Sequence, residues 1–320
     1  MVINIKWLGS SKDPLKKAHT TRDLSTYLNL LVFLLFLFQF TTRIGATSFI
    51  FTSEPDTEKT KVARGDTIHA VWEEDRDKNC ECEIYYHRST DKGKTWKLEK
   101  CLSYISPHPK NPSIRVSKTT VSVLWLSTQD NGDAMYYRRS TDAGTTWEPS
   151  VRLASVVAAG RRSRTVPRFG VSDPLLVAVW KDDRDGYRKA IYVKRSTDSG
   201  ANWGPDTRLA LSPDWLLDPD IDISGSTVHL TWRDIRDGNW EIYYKRSTDG
   251  GLTWNSDTRL TSDLDLSISP RITSDGPTVR IIWEDRRGNE WGRYSKRSTD
   301  GGSTWGPDSL VRPGRRGFTL

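Results

Sequence analysis

The stretch STDGGLTW occupies residues 247–254, and the same eight-residue pattern is written four more times: STDKGKTW at 89–96, STDAGTTW at 140–147, STDSGANW at 196–203 and STDGGSTW at 298–305. Their starts lie 51, 56, 51 and 51 residues apart. A fixed period of this length with aromatic landmarks marks a propeller or a similar array of repeats. Each copy follows an alternating run such as EIYYKRS (241–247) and precedes a short strand such as TRLTS (258–262). Further upstream comes a strand that closes on Trp72, Trp125, Trp180, Trp232 or Trp283. With a Pro-led strand such as PSIRVS (112–117), each repeat offers four short antiparallel strands. The expected fold class is therefore all-β, a β-propeller of four-stranded antiparallel blades with five blades visible.

The repeated turn explains itself physically. The carboxylates of Asp91, Asp142, Asp198, Asp249 and Asp300 can accept backbone N–H groups inside a tight turn. The glycine two residues on can take a positive φ, and the closing tryptophan can fold back as an apolar plug between blades. None of this needs a substrate, so the five aspartates are read as scaffolding.

The S-x-D-x-G-x-T-W pattern resembles the Asp box, the bacterial neuraminidase repeat of sialidase-like propellers, and the resemblance spans residues 59–312. It implies a propeller whose active face lies opposite the Asp boxes. Sialidases of this kind bind a sialate carboxylate with three arginines and use a tyrosine nucleophile backed by a glutamate, with an aspartate as acid/base. Their first arginine sits in an F/Y-R-I-P segment that this chain lacks; VPRF (166–169) and SPRI (269–272) come nearest. Arg168 and Arg271 are accordingly placed at the mouth of the central channel, with Lys61 in the equivalent place of the first blade. No tyrosine nucleophile can be assigned. Sialic-acid hydrolysis, glycan binding without catalysis, and protein interaction at a surface all remain open.

Length variation points to the same face. The spacing from one repeat's second tryptophan to the next repeat's first is 29, 33, 29 and 29 residues, so an insertion falls in the link 154–167. A second excess falls in the first blade's turn, which holds Cys80 and Cys82. Strand order puts both on the face opposite the repeated turns, and insertions confined to one face often mark a binding face. The inserted link carries Arg161, Arg162, Arg164 and Arg168 without an acid, which suits a carboxylate or sulfate. Ten of the 14 tryptophans are repeat landmarks and Trp7 lies in the leader. The other three, Trp215, Trp240 and Trp291, map to this variable face as possible sugar platforms. A repeated W-x-[DE]-x-R (Glu74/Arg76, Asp182/Arg184, Asp234/Arg236, Asp285/Arg287) is read as a local structural pair.

Charge and composition bound the rest. Residues 1–46 hold six Lys/Arg and two Asp, and residues 312–320 hold three Arg, leaving 39 basic and 39 acidic residues between. A body without net charge lacks the basic footprint of a nucleic-acid binder. The basic leader and the apolar run at 28–40 are expected to be a signal peptide or a membrane anchor (1–46), with the propeller at 47–313 and a basic tail at 314–320. Both readings place the chain outside the cell, secreted or surface-anchored, and the membrane enters only through that segment. Three cysteines and five scattered histidines imply no metal site and no cofactor. An exported chain permits a Cys82–Cys101 disulfide, with Cys80 as the alternative partner. Five repeats leave two closures open: five blades with a spare strand at 48–55, or an incomplete six-bladed ring.

Overall fold

The computed structural model describes residues 49–52, 60–74, 83–104, 108–129, 132–156, 166–182, 184, 190–212, 216–263, 265–288 and 290–313. Among the described residues all elements are strands. The first sheet contains β1 (Phe49–Thr52), β2 (Thr60–Arg64), β3 (Thr67–Glu74), β4 (Glu83–Ser89) and β5 (Lys100–Cys101). The second runs β6 (Pro109–Ser117), β7 (Thr120–Gln129), β8 (Gly132–Ser140), β9 (Val151–Val156). The third runs β10 (Arg168–Ser172), β11 (Leu175–Asp182), β12 (Ala190–Ser196), β13 (Thr207–Leu211). The fourth is β14 (Leu216–Ser224), β15 (Thr227–Asp234), β16 (Glu241–Ser247), β17 (Thr258–Arg259), and the fifth β18 (Ser267–Asp275), β19 (Thr278–Arg287), β20 (Glu290–Ser298), β21 (Ser309–Pro313). Every pairing is antiparallel between chain neighbours, as the four-strand reading of the repeat expects. The spare strand β1 pairs with β2 and so extends the first sheet on its inner edge.

Neighbouring blades meet through their first strands: β6 packs on β2 and β10, and β14 packs on β10 and β18. These strands therefore line the axis, and the third strands stand two strands further out. Alternation sends one side of each sheet to the preceding blade and the other to the following one. The strand tryptophans Trp125, Trp180, Trp232 and Trp283, all essentially buried, each join a cluster with the blade before them. Burial of side chains this large contributes roughly 1.5–3 kcal/mol apiece or more. Four such clusters join five blades, and among the described residues no packing of similar extent joins the fifth blade to the first.

The second tyrosine of the I-Y-Y run locks three of these joints. Tyr86, Tyr137 and Tyr244 each press their hydroxyl beneath the turn glycine of the next blade, Gly144, Gly200 and Gly302, where a Cβ would collide with it. The turn tryptophans Trp147, Trp203 and Trp305 meet those rings edge-on at 4.8, 5.1 and 4.9 Å. The basic pair that follows works in both directions. Arg88, Arg139, Arg195 and Arg246 donate forward to carbonyls of the next blade's turn. Arg138, Lys194, Lys245 and Lys296 donate backward to Leu102, Leu153, Leu209 and Leu260.

Inside each turn the geometry matches the scaffolding expectation. Asp249 Oδ1 accepts from the Thr253 N–H (2.9 Å) and Oδ2 from the Thr253 hydroxyl (2.5 Å). Ser247 Oγ donates to Asp249 (2.7 Å) and accepts the Gly251 N–H (2.8 Å). These bonds stabilise the ionised form, so all five carboxylates titrate low. Asp91 falls to about 2, first through the Thr95 hydroxyl, and Asp198 to about 2, first through the Asn202 N–H.

Cys101 is a free thiol. It stands opposite Tyr85 on the paired strand and makes neither the expected bond to Cys82 nor the alternative to Cys80. Cys80 and Cys82 themselves lie outside the described residues, as do the leader 1–46, the tail 314–320 and both length insertions.

Candidate functional site

The inner strands converge at the channel mouth, where three of them are bent. Asn111, Asp218 and Ser269 take positive φ of 54°, 54° and 55°, each just before a proline and each inside a register shift. Such bulges re-aim the side chains that follow, and non-glycine residues held there point to a functional constraint. The residues after these prolines, and after Pro167 in the third blade, are Ser113, Asp220, Arg271 and Arg168. All four stand opposite the residue immediately before the strand tryptophan: Leu124, Thr231, Ile282 and Val179.

Lys61 does not share that position. It pairs with Ala70, two residues before Trp72, and Thr60 occupies the equivalent place. One residue of register exchanges the two faces of a strand, so Lys61 is not the first-blade counterpart of Arg168. The third guanidinium comes instead from Arg115, two residues further along β6, whose Cζ lies 5.5 Å from the centre of the Phe169 ring. Spacing from proline hid it, because Arg115 occupies the alternate position of its strand.

Arg168 is the centre of this group. Burial lowers its pKa to about 10; Asp220 and Asp218 oppose the shift, while Arg271 and Arg115 add to it. Its nearest carboxylate, Asp220, stands 3.9 Å away and spends its other oxygen on the Ile272 N–H at 3.0 Å. Asp222 likewise binds the Ser274 N–H and hydroxyl, at 2.6 and 3.0 Å. Both aspartates thus staple β14 to the open edge of β18. Arg115 and Arg271 give bonds to the carbonyls of Ile114 and Pro270. Ser113 Oγ, 1% exposed, has no hydrogen-bond partner among the described residues. The mouth thus sets three guanidiniums against the carboxylates of Asp220 and Asp222, with Asp218 paired to Arg233, and the one positive charge left over favours an anion.

The expected sugar platforms divide. Trp240 is covered by Arg233, whose Cζ lies 4.7 Å from the ring centre and whose Nε lies 2.9 Å from Asp218. It therefore presents a ring–guanidinium–carboxylate stack beside the mouth rather than a bare face. Trp291 stands on β20 opposite Arg286. Trp215, Arg161, Arg162 and Arg164 lie outside the described residues.

The W-x-[DE]-x-R device is internal wiring. Asp234 accepts from the Trp232 indole (3.3 Å) and from Arg236 (2.8 Å), and Arg236 also binds Asp257 (2.8 Å) while lying over the Tyr243 ring (4.6 Å). The third and fifth blades repeat it through Asp182/Arg184 and Asp285/Arg287. Tyrosine hydroxyls are similarly committed: Tyr86 and Tyr244 to His69 and His229, Tyr137 to Ser122, and Tyr243 to Asp237. Burial raises the pKa of each of these four, the opposite of what a tyrosinate nucleophile needs. Tyr85 does donate to Glu83 at 2.7 Å, but on a third strand, away from the axis. Among the described residues no three His, Cys, Asp or Glu side chains gather to hold a metal ion.

No protein-family profile matches the chain, and no curated protein matches it in sequence. Solved structures do. An α-L-arabinanase of Penicillium chrysogenum complexed with arabinobiose is 17% identical, with 75% of this chain and 76% of that one covered and a TM-score of 0.51. A family PL25 ulvan lyase bound to -[GlcA(1-4)Rha3S]- is 12% identical, with coverage of 84% and 70% and a TM-score of 0.54. The endosialidase of phage phi92 is 11% identical, with coverage of 83% and 60% and a TM-score of 0.52. All three are proteins that process glycans, and at these identities the likeness is one of fold: this chain has the β-propeller architecture they share.

Proposed function

We propose that this chain is an exported propeller that recognises an anionic glycan at the channel mouth, on the face opposite its S-T-D turns. The observation that carries the reading is the cluster of Arg115, Arg168 and Arg271 from three different blades, with Arg168 half-buried and its pKa pulled down by burial and by its two arginine neighbours. A carboxylate or sulfate would complete the charge balance through bidentate bonds. The ulvan lyase, a structural neighbour, holds a glucuronate-containing sulfated chain, which agrees with a ligand of this class. The basic leader and the apolar run at 28–40 support export.

A second reading, exo-α-sialidase hydrolysis, draws on the Tyr85–Glu83 bond, since that chemistry pairs a tyrosine with a glutamate. The third-strand position of the pair argues for the binder. One experiment separates them. Titration of α-sialosides and β-glucuronides into residues 47–320 is expected to show binding that Arg168→Ala weakens ten- to a hundredfold, without turnover of a fluorogenic sialoside. Turnover abolished by Tyr85→Phe would establish the hydrolase instead. Binding indifferent to Arg168 would remove the site.

A further inference from the structure

The face of the fifth blade that points away from the fourth breaks the pattern of every other blade. Val279, Ile281, Trp283 and Tyr294 pack toward the fourth blade, so Arg280, Ile282 and Glu284 of β19, and Trp291, Arg293, Ser295 and Arg297 of β20, take the opposite side. In the other blades this side is an interface. Where they have Ile84, Met135, Ile191 and Ile242, the fifth has Arg293; where three have the locking tyrosine, it has Ser295. The register shows the change most clearly. Arg88, Arg139, Arg195 and Arg246 stand opposite His69, Ser122, Val177 and His229, while Arg297 stands opposite Arg280.

Like charges directly opposite on adjacent strands are destabilising, with Cβ atoms only about 4.5–5.5 Å apart. Among the described residues no carboxylate pairs with either arginine. Arg280 and Arg297 make bonds of 3.3 and 3.5 Å to the hydroxyls of Ser295 and Thr278. Arg293, half exposed, reaches Glu284 at 3.5 Å. A bare end cap needs a polar surface, not two guanidiniums facing each other. A local arrangement that costs stability without a local gain marks a site.

We propose that this blade face binds a sulfated or uronate-bearing polysaccharide, with Arg280, Arg293 and Arg297 clamping its acidic groups and Trp291 supporting a sugar ring. The site is separate from Arg168 and Arg115, and Arg271 lies at its axial end, so a chain could run from this face toward the channel mouth. Charge complementarity favours a polyanion, and the zero net charge of residues 47–311 together with the single tryptophan favours a glycan over nucleic acid.

The test uses residues 47–320 with heparin as the probe, titrated at low and moderate salt. Expected is salt-dependent binding that Arg280→Ser with Arg293→Ser weakens tenfold or more, while Trp291→Ala weakens it without changing the salt slope. Arg168→Ala should leave heparin binding within twofold, and the Arg280/Arg293 variant should leave the glucuronide titration unchanged, so failure here is distinguishable from failure at the mouth. No binding of heparin, or binding indifferent to Arg280 and Arg293, would show the face to be a solvent cap. Equal affinity for double-stranded DNA, lost in the same variant, would overturn the glycan assignment.

Discussion

Ser247 illustrates how much one hydroxyl organises. It is fully buried, serves the N–H groups of Gly251 and Asp249, and donates to the Asp249 carboxylate. Ser247→Ala strands buried donors, so it is expected to lower stability by about 1–3 kcal/mol in urea unfolding. Ligand affinity of the folded protein should not move, because the turn lies away from the channel mouth. An unchanged unfolding midpoint would mean that the turn does not depend on this serine. The aspartate in the turn was legible from sequence because its chemistry is local. Arg115 was not, because what makes it part of the mouth is the approach of other blades.

At the scale of the blade, the I-Y-Y-K-R-S strand is a coupling device. Its second tyrosine fills the space under the next blade's glycine, its first basic residue reaches back and its arginine reaches forward. Tyr137 is 1% exposed, bonds Ser122 at 2.9 Å and packs on Trp203. Truncation by Tyr137→Ala leaves a cavity between the second and third blades and should cost about 3–5 kcal/mol. Hydrogen exchange should then rise on both sides of that joint and not at the joint between blades four and five. A uniform rise across all blades would contradict this neighbour-by-neighbour coupling.

For the whole molecule, acid sensitivity follows from two sets of groups. His69 and His229 are buried against Tyr86 and Tyr244, and burial, with Arg88 and Arg246 adding to it, lowers their pKa from 6.5 to about 4. The unfolded chain takes up these protons first, so stability is complete above pH 6.5 and declines as pH falls through about 4. The turn carboxylates act lower. Their folded pKa values are depressed to about 2 for Asp91 and Asp198, so the stability they bring is present above about 4 and is lost toward pH 2. Urea midpoints are therefore expected to fall in two stages between pH 7 and 2. His229→Gln should flatten the upper stage alone; an upper stage that persists in the His69/His229 double variant would assign it to other groups.

The amino-acid sequence determined the repeat, the four-strand blade and the role of the S-T-D turn, because each rests on interactions within about 20 residues of chain. It also singled out Arg168 and Arg271 as candidates, because their place after a proline repeats from blade to blade. Tertiary structure alone decided the rest. The register of β2 removed Lys61 from the site, and the bulges at Asn111, Asp218 and Ser269 shaped the mouth. Packing of blade on blade covered Trp240 with Arg233 and left Arg280 facing Arg297 on a side that, among the described residues, has no blade packed on it. These outcomes depend on which side of a strand meets a neighbour, and a one-residue shift that local sequence barely opposes reverses that choice.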